Sequence, residues 1–232
     1  MTASAILLAG GSGRRMGGVD KLMLEARGEP LLRHALRAFE RCPVVDRVVL
    51  VARADRLPEY ARLASAWGIA KIANIVPGGA ERQDSVWNGL LALEPPPEIV
   101  LIHDAARALV TSELLARCAA AAAEFGAVVP AAPVTDTIKR VRAANDPRIV
   151  ETPDRALLRA AQTPQTFRYA LIRSAYEPLV RARILVTDDA AAAERAGHEV
   201  RVVESDASNL KVTSPEDLFL AEKLLSQRKG NP

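Results

Sequence analysis

The chain has 232 residues, 49% hydrophobic and 25% charged, with a formal net charge of +3. This balance excludes global disorder, and the charge is too mild to imply nucleic acid as a partner. The N-terminus lacks a basic region before its short apolar run, and no stretch reaches the roughly 20 apolar residues of a membrane span, so a cytoplasmic protein with a single domain over 1–232 is expected.

Ser4–Ala9 is nearly all apolar, as a strand buried on both faces must be. Residues 30–41 place Leu31, Leu32, Ala35, Leu36 and Phe39 at helical spacing behind Pro30. Strands are predicted at Arg47–Ala52, Lys71–Val76, Glu98–His103 and Ala127–Ala132. Helices are predicted at 55–66, 82–93 and Ser112–Phe125, the last stopped by Gly126. This order predicts an α/β fold, a largely parallel sheet wrapped by helices. Cys42 and Cys118 lie far apart in the sequence and carry no metal spacing.

The pattern breaks at 134–157. Thr135–Arg142 alternates polar and apolar residues, Asn145-Asp146-Pro147 signals a turn, and Arg148–Thr152 follows. This predicts a hairpin, either at a sheet edge or as an arm reaching a second subunit. Ile138, Val141, Ile149 and Val150 form an apolar stripe with little core of their own to cover. Beyond it, Thr187-Asp188-Asp189 opens a helix that ends at Gly197, with Thr187 as a candidate cap. A short strand is predicted at Asn209–Val212. Ser214-Pro215-Glu216-Asp217 has the cap, the proline and the acids of a helix start.

The first strand runs into Gly10-Gly11-Ser12-Gly13-Arg14-Arg15-Met16. Such glycines bring backbone N–H groups close to a phosphate, although a plain tight turn also uses them. The P-loop is excluded because its Gly-Lys-Ser/Thr ending is missing. The dinucleotide fingerprint fails as well: Met16 replaces its third glycine, and Ala52-Arg53 stands where its ribose-binding acid belongs. Arg14, Arg15 and Lys21 remain, three cations that repel one another unless an anion such as a triphosphate lies between them. Arg14 is expected to face solvent. Cations here also neutralise charge on an attacked phosphate and a leaving pyrophosphate. Only six of the 31 basic residues are lysines, which makes the lysines more conspicuous. Asp104 follows the strand Glu98–His103, at the sheet end where α/β proteins bind ligands, and a carboxylate beside a triphosphate suits Mg²⁺. His103 alternates to the other face, where a core or hydrogen-bonded role is expected; His34 and His198 receive no function.

Seven segments in order carry a family resemblance: 8–16 with Lys21, 78–86, 103–107, 132–139, 163–167, 187–189 and 209–217. Together they resemble the 2-C-methyl-D-erythritol 4-phosphate cytidylyltransferases from residue 5 to about 225. The resemblance implies a Rossmann-like, nucleotide-diphospho-sugar transferase type of fold, and a homodimer joined through a β-arm at about 134–157. It implies that CTP and 2-C-methyl-D-erythritol 4-phosphate are converted to 4-diphosphocytidyl-2-C-methyl-D-erythritol and diphosphate, with Mg²⁺ or another divalent cation. That reaction belongs to non-mevalonate isoprenoid precursor synthesis.

By the same resemblance, Arg15 and Lys21 stabilise the transition state, and Arg155 and Lys211 position the substrate phosphate. Ala9 and Gly10 lie near the base, and Gly11 and Gly13 cradle the phosphates. Gly79, Ala80, Ser85, Asp104 and Ala105 complete the nucleotide pocket, with Asp104 also near the metal, directly or through water. Ser85 has an alternative local role, satisfying backbone at a helix start. Arg107, Thr137 and Thr187 contact the substrate. In the family the arm delivers Arg155 and Thr137 from the other subunit. The chain departs from the family pattern at Asp20 and Ala108, both commonly proline, and at Ala80, often an acid. The alternative acceptor is another pentitol phosphate such as ribitol 5-phosphate. A binding protein that kept the fold without activity is disfavoured by Arg15, Lys21, Asp104 and Lys211 occurring together.

Overall fold

The computed structural model describes residues 3–11 and 20–228. Strand β1 (Ala3–Ala9) lies between two parallel neighbours and buries all its residues except Leu8, which is partly covered. A tight hairpin, β2 (Glu25–Ala26) and β3 (Glu29–Pro30), turns at Arg27 and Gly28, both at positive φ, and leads into α1 (Leu31–Arg41). Then follow β4 (Val45–Ala52), α2 (Leu57–Ala66), β5 (Ile72–Pro77), α3 (Arg82–Leu91), β6 (Ile99–Asp104), α4 (Ser112–Phe125) and β7 (Ala127–Pro133). These elements match the predicted alternation, and α4 ends where Gly126 takes φ +91°.

The arm is a separate two-stranded ladder, β8 (Arg140–Ala143) and β9 (Asp146–Glu151). Its turn is Ala144-Asn145 rather than Asn145–Pro147, because Ala143 pairs with Asp146 and draws Pro147 into β9. A two-stranded ladder with exposed edges tolerates the missing N–H. The remaining elements are β10 (Arg159–Ala161), β11 (Gln165–Arg168), α5 (Tyr169–Ala182), α6 (Asp189–Arg195), β12 (Arg201–Glu204) and α7 (Pro215–Gln227).

The main sheet runs β10-β7-β11-β6-β1-β4-β5, with β12 on the other edge of β7. It is parallel apart from β10 and β11. Side chains alternate into two cores. Ala5, Leu7 and Ala9 of β1 face α1, α2 and α4, whereas Ile6 faces α3, α5 and α6. Both cysteines are buried and free, and burial pushes the Cys118 thiol up to about 12.

Two local expectations are corrected. Asn209–Val212 is not a strand: its backbone makes single long-range bonds, Val212 N–H to Ala106 at 2.9 Å and the Asn209 carbonyl to Arg107 at 2.7 Å, instead of a ladder. The α6 cap is Asp188, one residue after Thr187; its carboxylate accepts the Ala191 N–H at 2.9 Å. No described helix is long and apolar enough to cross a membrane.

Candidate active site

Strands β1 and β6 end side by side, with Leu8 in register with Asp104 and the Ala105 N–H bonded to the Leu8 carbonyl at 3.1 Å. Ala9, Gly10 and Gly11 leave β1 there. Among the described residues, a Cβ on Gly10 would meet nothing within 4 Å, so their packing does not demand this glycine. Gly13, Arg14 and Arg15 lie outside the described residues.

Asp104 is the centre of the charged groups. Its Oδ2 accepts from Lys211 Nζ at 2.6 Å and its Oδ1 from Arg82 Nε at 3.2 Å. Arg82 also grips Asp189 with both terminal nitrogens, at 3.0 and 2.8 Å. Asp189 is fully buried and takes a further bond from the Tyr176 hydroxyl at 2.5 Å. Burial by itself would raise the Asp104 carboxyl, but Arg82 and then Lys211 outweigh it and hold the group well below the usual carboxylate range. Burial likewise opposes the charge on Arg82, and Asp189 first, then Asp104, more than restore it. Two acids and two bases therefore form a chain with its charges balanced, at the carboxyl end of a parallel sheet.

Lys21 adds a further cation. It sits on a single 3₁₀ turn, Lys21–Met23, and donates to the Val212 carbonyl at 3.4 Å, beside Lys211. A Cβ on Gly11 would lie 3.7 Å from its Cε. Lys21, Lys211, Asp104 and the start of the glycine loop thus meet at one mouth.

Beneath this layer His103 is fully buried and faces away, as alternation predicts. One ring nitrogen, Nε2, lies 3.2 Å from the Arg107 carbonyl, an acceptor, so Nε2 carries the proton. Nδ1 then accepts from the Thr163 hydroxyl at 2.9 Å, and that oxygen accepts the Asp104 N–H at 3.1 Å. Burial lowers the imidazole to about 4, so it is neutral at pH 7. Thr163 lies in the short segment between β10 and β11, just after Gln162, whose N–H still bonds the Pro130 carbonyl of β7 at 2.8 Å.

The other predicted residues divide into three groups. Ser85 is buried at the start of α3; its oxygen accepts the Gly79 N–H at 3.1 Å and donates to the Glu81 carbonyl at 3.3 Å, so the local role is realised. It holds the exposed Gly79-Ala80 segment in place, and Gly79 admits no larger residue, since its Cβ would stand 2.2 Å from that of Asp84. Arg107 is partly buried and donates to the Asn209 and Ala161 carbonyls at 2.7 and 3.4 Å, tying the end of β6 to the Lys211 segment; its Nε is buried without a partner. Thr187 is exposed before the α6 cap. Thr137 and Arg155 are exposed on and just beyond the arm, with Arg155 donating to the Thr135 carbonyl at 2.9 Å.

Sequence reasoning missed Arg82, Asp189, Tyr176 and Thr163. All but Tyr176 stood inside the quoted segments, but nothing in their spacing showed that Arg82 and Asp189, 107 residues apart, are partners. Among the described residues, no three His, Cys, Asp or Glu side chains gather into a metal cage. A lone carboxylate beside a phosphate site still fits Mg²⁺, which is commonly held by one or two carboxylates together with substrate phosphates.

Comparisons with known proteins identify the family. Residues 3–227 match the family IspD: 2-C-methyl-D-erythritol 4-phosphate cytidylyltransferase. The enzyme of that name from Geobacillus kaustophilus is 45% identical over 98% of this chain and 99% of its own. The one from Symbiobacterium thermophilum is 46% identical over 97% and 93%. The crystal structure of the 4-diphosphocytidyl-2C-methyl-D-erythritol synthase of Anaerococcus prevotii superposes with a TM-score of 0.85 at 31% identity, covering 97% of this chain and 96% of that one. On sequence and fold together, the chain belongs to the 2-C-methyl-D-erythritol 4-phosphate cytidylyltransferase family.

Proposed function

We propose that the chain transfers the cytidylyl group of CTP to 2-C-methyl-D-erythritol 4-phosphate, a step of isoprenoid precursor synthesis, through the cluster at the ends of β1 and β6. The observation that carries this reading is the meeting of Lys21, Lys211 and the buried Asp104 beside the glycines that follow β1. An oxygen of the acceptor phosphate attacks the α-phosphorus of CTP. The new P–O bond forms as the bond to the β-phosphate oxygen breaks, and diphosphate leaves. Lys21, with Arg15, neutralises charge on the five-coordinate phosphorus. Lys211 holds the acceptor phosphate, and Asp104 fixes the Lys211 ammonium until that phosphate arrives. The backbone at Ala9–Gly11 and at Gly79-Ala80 encloses the nucleotide. Asp104, with the triphosphate, would hold Mg²⁺, and that ion would supply further charge neutralisation.

Arg155 and Thr137 serve the site of a partner subunit, because in their own chain they point outward on an arm whose Ile149 is 60% exposed. The whole chain acts as one nucleotidyltransferase domain with this arm. Both substrates are anionic metabolites that do not cross membranes unaided, which supports a cytoplasmic enzyme.

The test is pyrophosphate release with CTP and each acceptor in turn. Methylerythritol phosphate supports rapid release, while ribitol 5-phosphate, ATP and GTP support little; equal release with ribitol 5-phosphate overturns the acceptor assignment. Lys21→Ala raises the barrier by about 3 kcal/mol, lowering turnover about 150-fold, with CTP affinity much less affected. Turnover near that of the unaltered enzyme refutes the role of Lys21.

A further inference from the structure

The residue before Lys21 is tied in through both its backbone and its side chain. Asp20 Oδ1 accepts the Leu22 N–H at 3.1 Å, capping the 3₁₀ turn, and the Asp20 carbonyl accepts the Met23 N–H at 3.0 Å. Its other oxygen, Oδ2, accepts from the Tyr60 hydroxyl at 2.7 Å and pairs with Arg56 Nη2 at 3.1 Å. Tyr60 is 1% exposed in the middle of α2, with its ring in the core beneath β1 and β4. Arg56, just before α2, is braced in turn by Glu59. One carboxylate therefore joins the turn carrying Lys21 to a rigid helix. Asp20 also has φ −67°, close to the value a proline ring imposes.

We propose that Asp20, Tyr60 and Arg56 form a positioning clamp that sets where the Lys21 ammonium stands; this rests on the transition-state role given to Lys21 above. A lysine has a long flexible stem whose rotamers must be frozen to fix its ammonium. Fixing its backbone by hydrogen bonds to α2 confines the volume the ammonium explores. Catalytic contacts are sensitive to this, since a displacement of about 1 Å can cost about a hundredfold in rate. Where proline locks φ by ring closure, this chain locks it through a side chain and a neighbouring helix.

The experiment compares Tyr60→Phe, Asp20→Ala, Asp20→Pro, Lys21→Ala and the double variant Tyr60→Phe/Lys21→Ala, in kcat and in CTP dissociation constant. Tyr60→Phe keeps the ring in the core and removes only the hydroxyl. It lowers kcat about tenfold, with CTP affinity changed less than about twofold, as expected for an interaction that acts in the transition state. Asp20→Ala lowers kcat further, and Asp20→Pro recovers part of that loss. In the Lys21→Ala background, Tyr60→Phe adds no further loss, because the clamp acts through the missing ammonium. The clamp is overturned if Tyr60→Phe and Asp20→Ala both turn over like the unaltered enzyme, if the Tyr60→Phe loss persists undiminished without Lys21, or if Asp20→Pro is slower than Asp20→Ala. Normal turnover in Lys21→Ala alone overturns the role of Lys21 as well, and that single variant tells the two failures apart.

Discussion

The carboxyl end of the sheet and the β8–β9 arm are both rich in arginine and acid, yet they treat charge and apolar surface in opposite ways. At the sheet end Asp189 is fully buried and Asp104 nearly so, and each charge has a named partner. On the arm the ion pairs Arg140–Glu151 and Arg148–Asp146 stand largely in water, as do Ile149, Val150 and Val141. Dry charges are held in one geometry because losing a partner is costly, which pre-organises a site. Wet apolar residues mark a surface the single chain leaves unfinished, the contact proposed to belong to a second subunit.

The largest expected effect falls on the dry side. Arg82→Met leaves Asp189 buried beside Tyr176 without its counter-charge. Breaking such a pair from one side costs about 3–5 kcal/mol, measured as a shift in urea unfolding. A shift below about 1 kcal/mol would mean that water or a rearranged side chain replaces Arg82, and the contrast with the arm would collapse.

Acid should separate the regions next. The His103 imidazole has its folded pKa lowered from 6.5 to about 4. The unfolded chain therefore binds a proton near pH 6.5 that the folded chain refuses, so stability is complete above that pH and falls as pH drops toward 4. The full loss approaches about 3 kcal/mol. The Asp104 carboxyl, also lowered, acts with the same sign but only below its ordinary 3.8. Lowered carboxyls such as Glu29 and Glu113 add a loss of the same sign, so the His103 share is the part of the wild-type loss between pH 7 and pH 4.5 in urea unfolding that His103→Gln removes. A wild-type midpoint unchanged between those two values contradicts a neutral buried ring.

How much of this was legible in the sequence follows the same division. The buried parallel strands were readable because a strand covered on both faces is apolar throughout, as β1 is. The arm was readable because its alternation has no core to match. Strands β10 and β11 were not, for they are three and four residues long, and their antiparallel pairing depends on β6 and β7 far away in sequence. At the site, Asp104 could be placed from its position after a strand. Its partners Arg82 and Asp189 could not, since ion pairing across 107 residues leaves no local spacing to read. Asp20, visible only as a departure from a family pattern, gained meaning once Tyr60 was found against it.

The proposed dimer makes the wet side testable. If Arg155 serves the partner's site, mixed dimers of Arg155→Ala and Lys21→Ala chains contain one intact site each. Random exchange makes half the dimers mixed, so about a quarter of wild-type activity returns from two inactive parents. Mixed dimers that form, shown by mass spectrometry, yet stay inactive would place Arg155 in the service of its own chain.

The smallest effect closes the comparison from the exposed end. Arg140 and Glu151 approach to 2.6 Å, a shorter contact than Arg82 makes with Asp104, but their side chains are 63% and 49% exposed. Water screens each charge before the partner does, and ordering two long side chains offsets part of the attraction. Arg140→Ala is therefore expected to change unfolding stability by less than about 0.5 kcal/mol, and less again in high salt. A loss of several kcal/mol would show that the arm's charges are dry in solution, buried by a second chain as those of the site are buried by their own. The size of that loss at rising protein concentration would then report how much of the arm the partner covers.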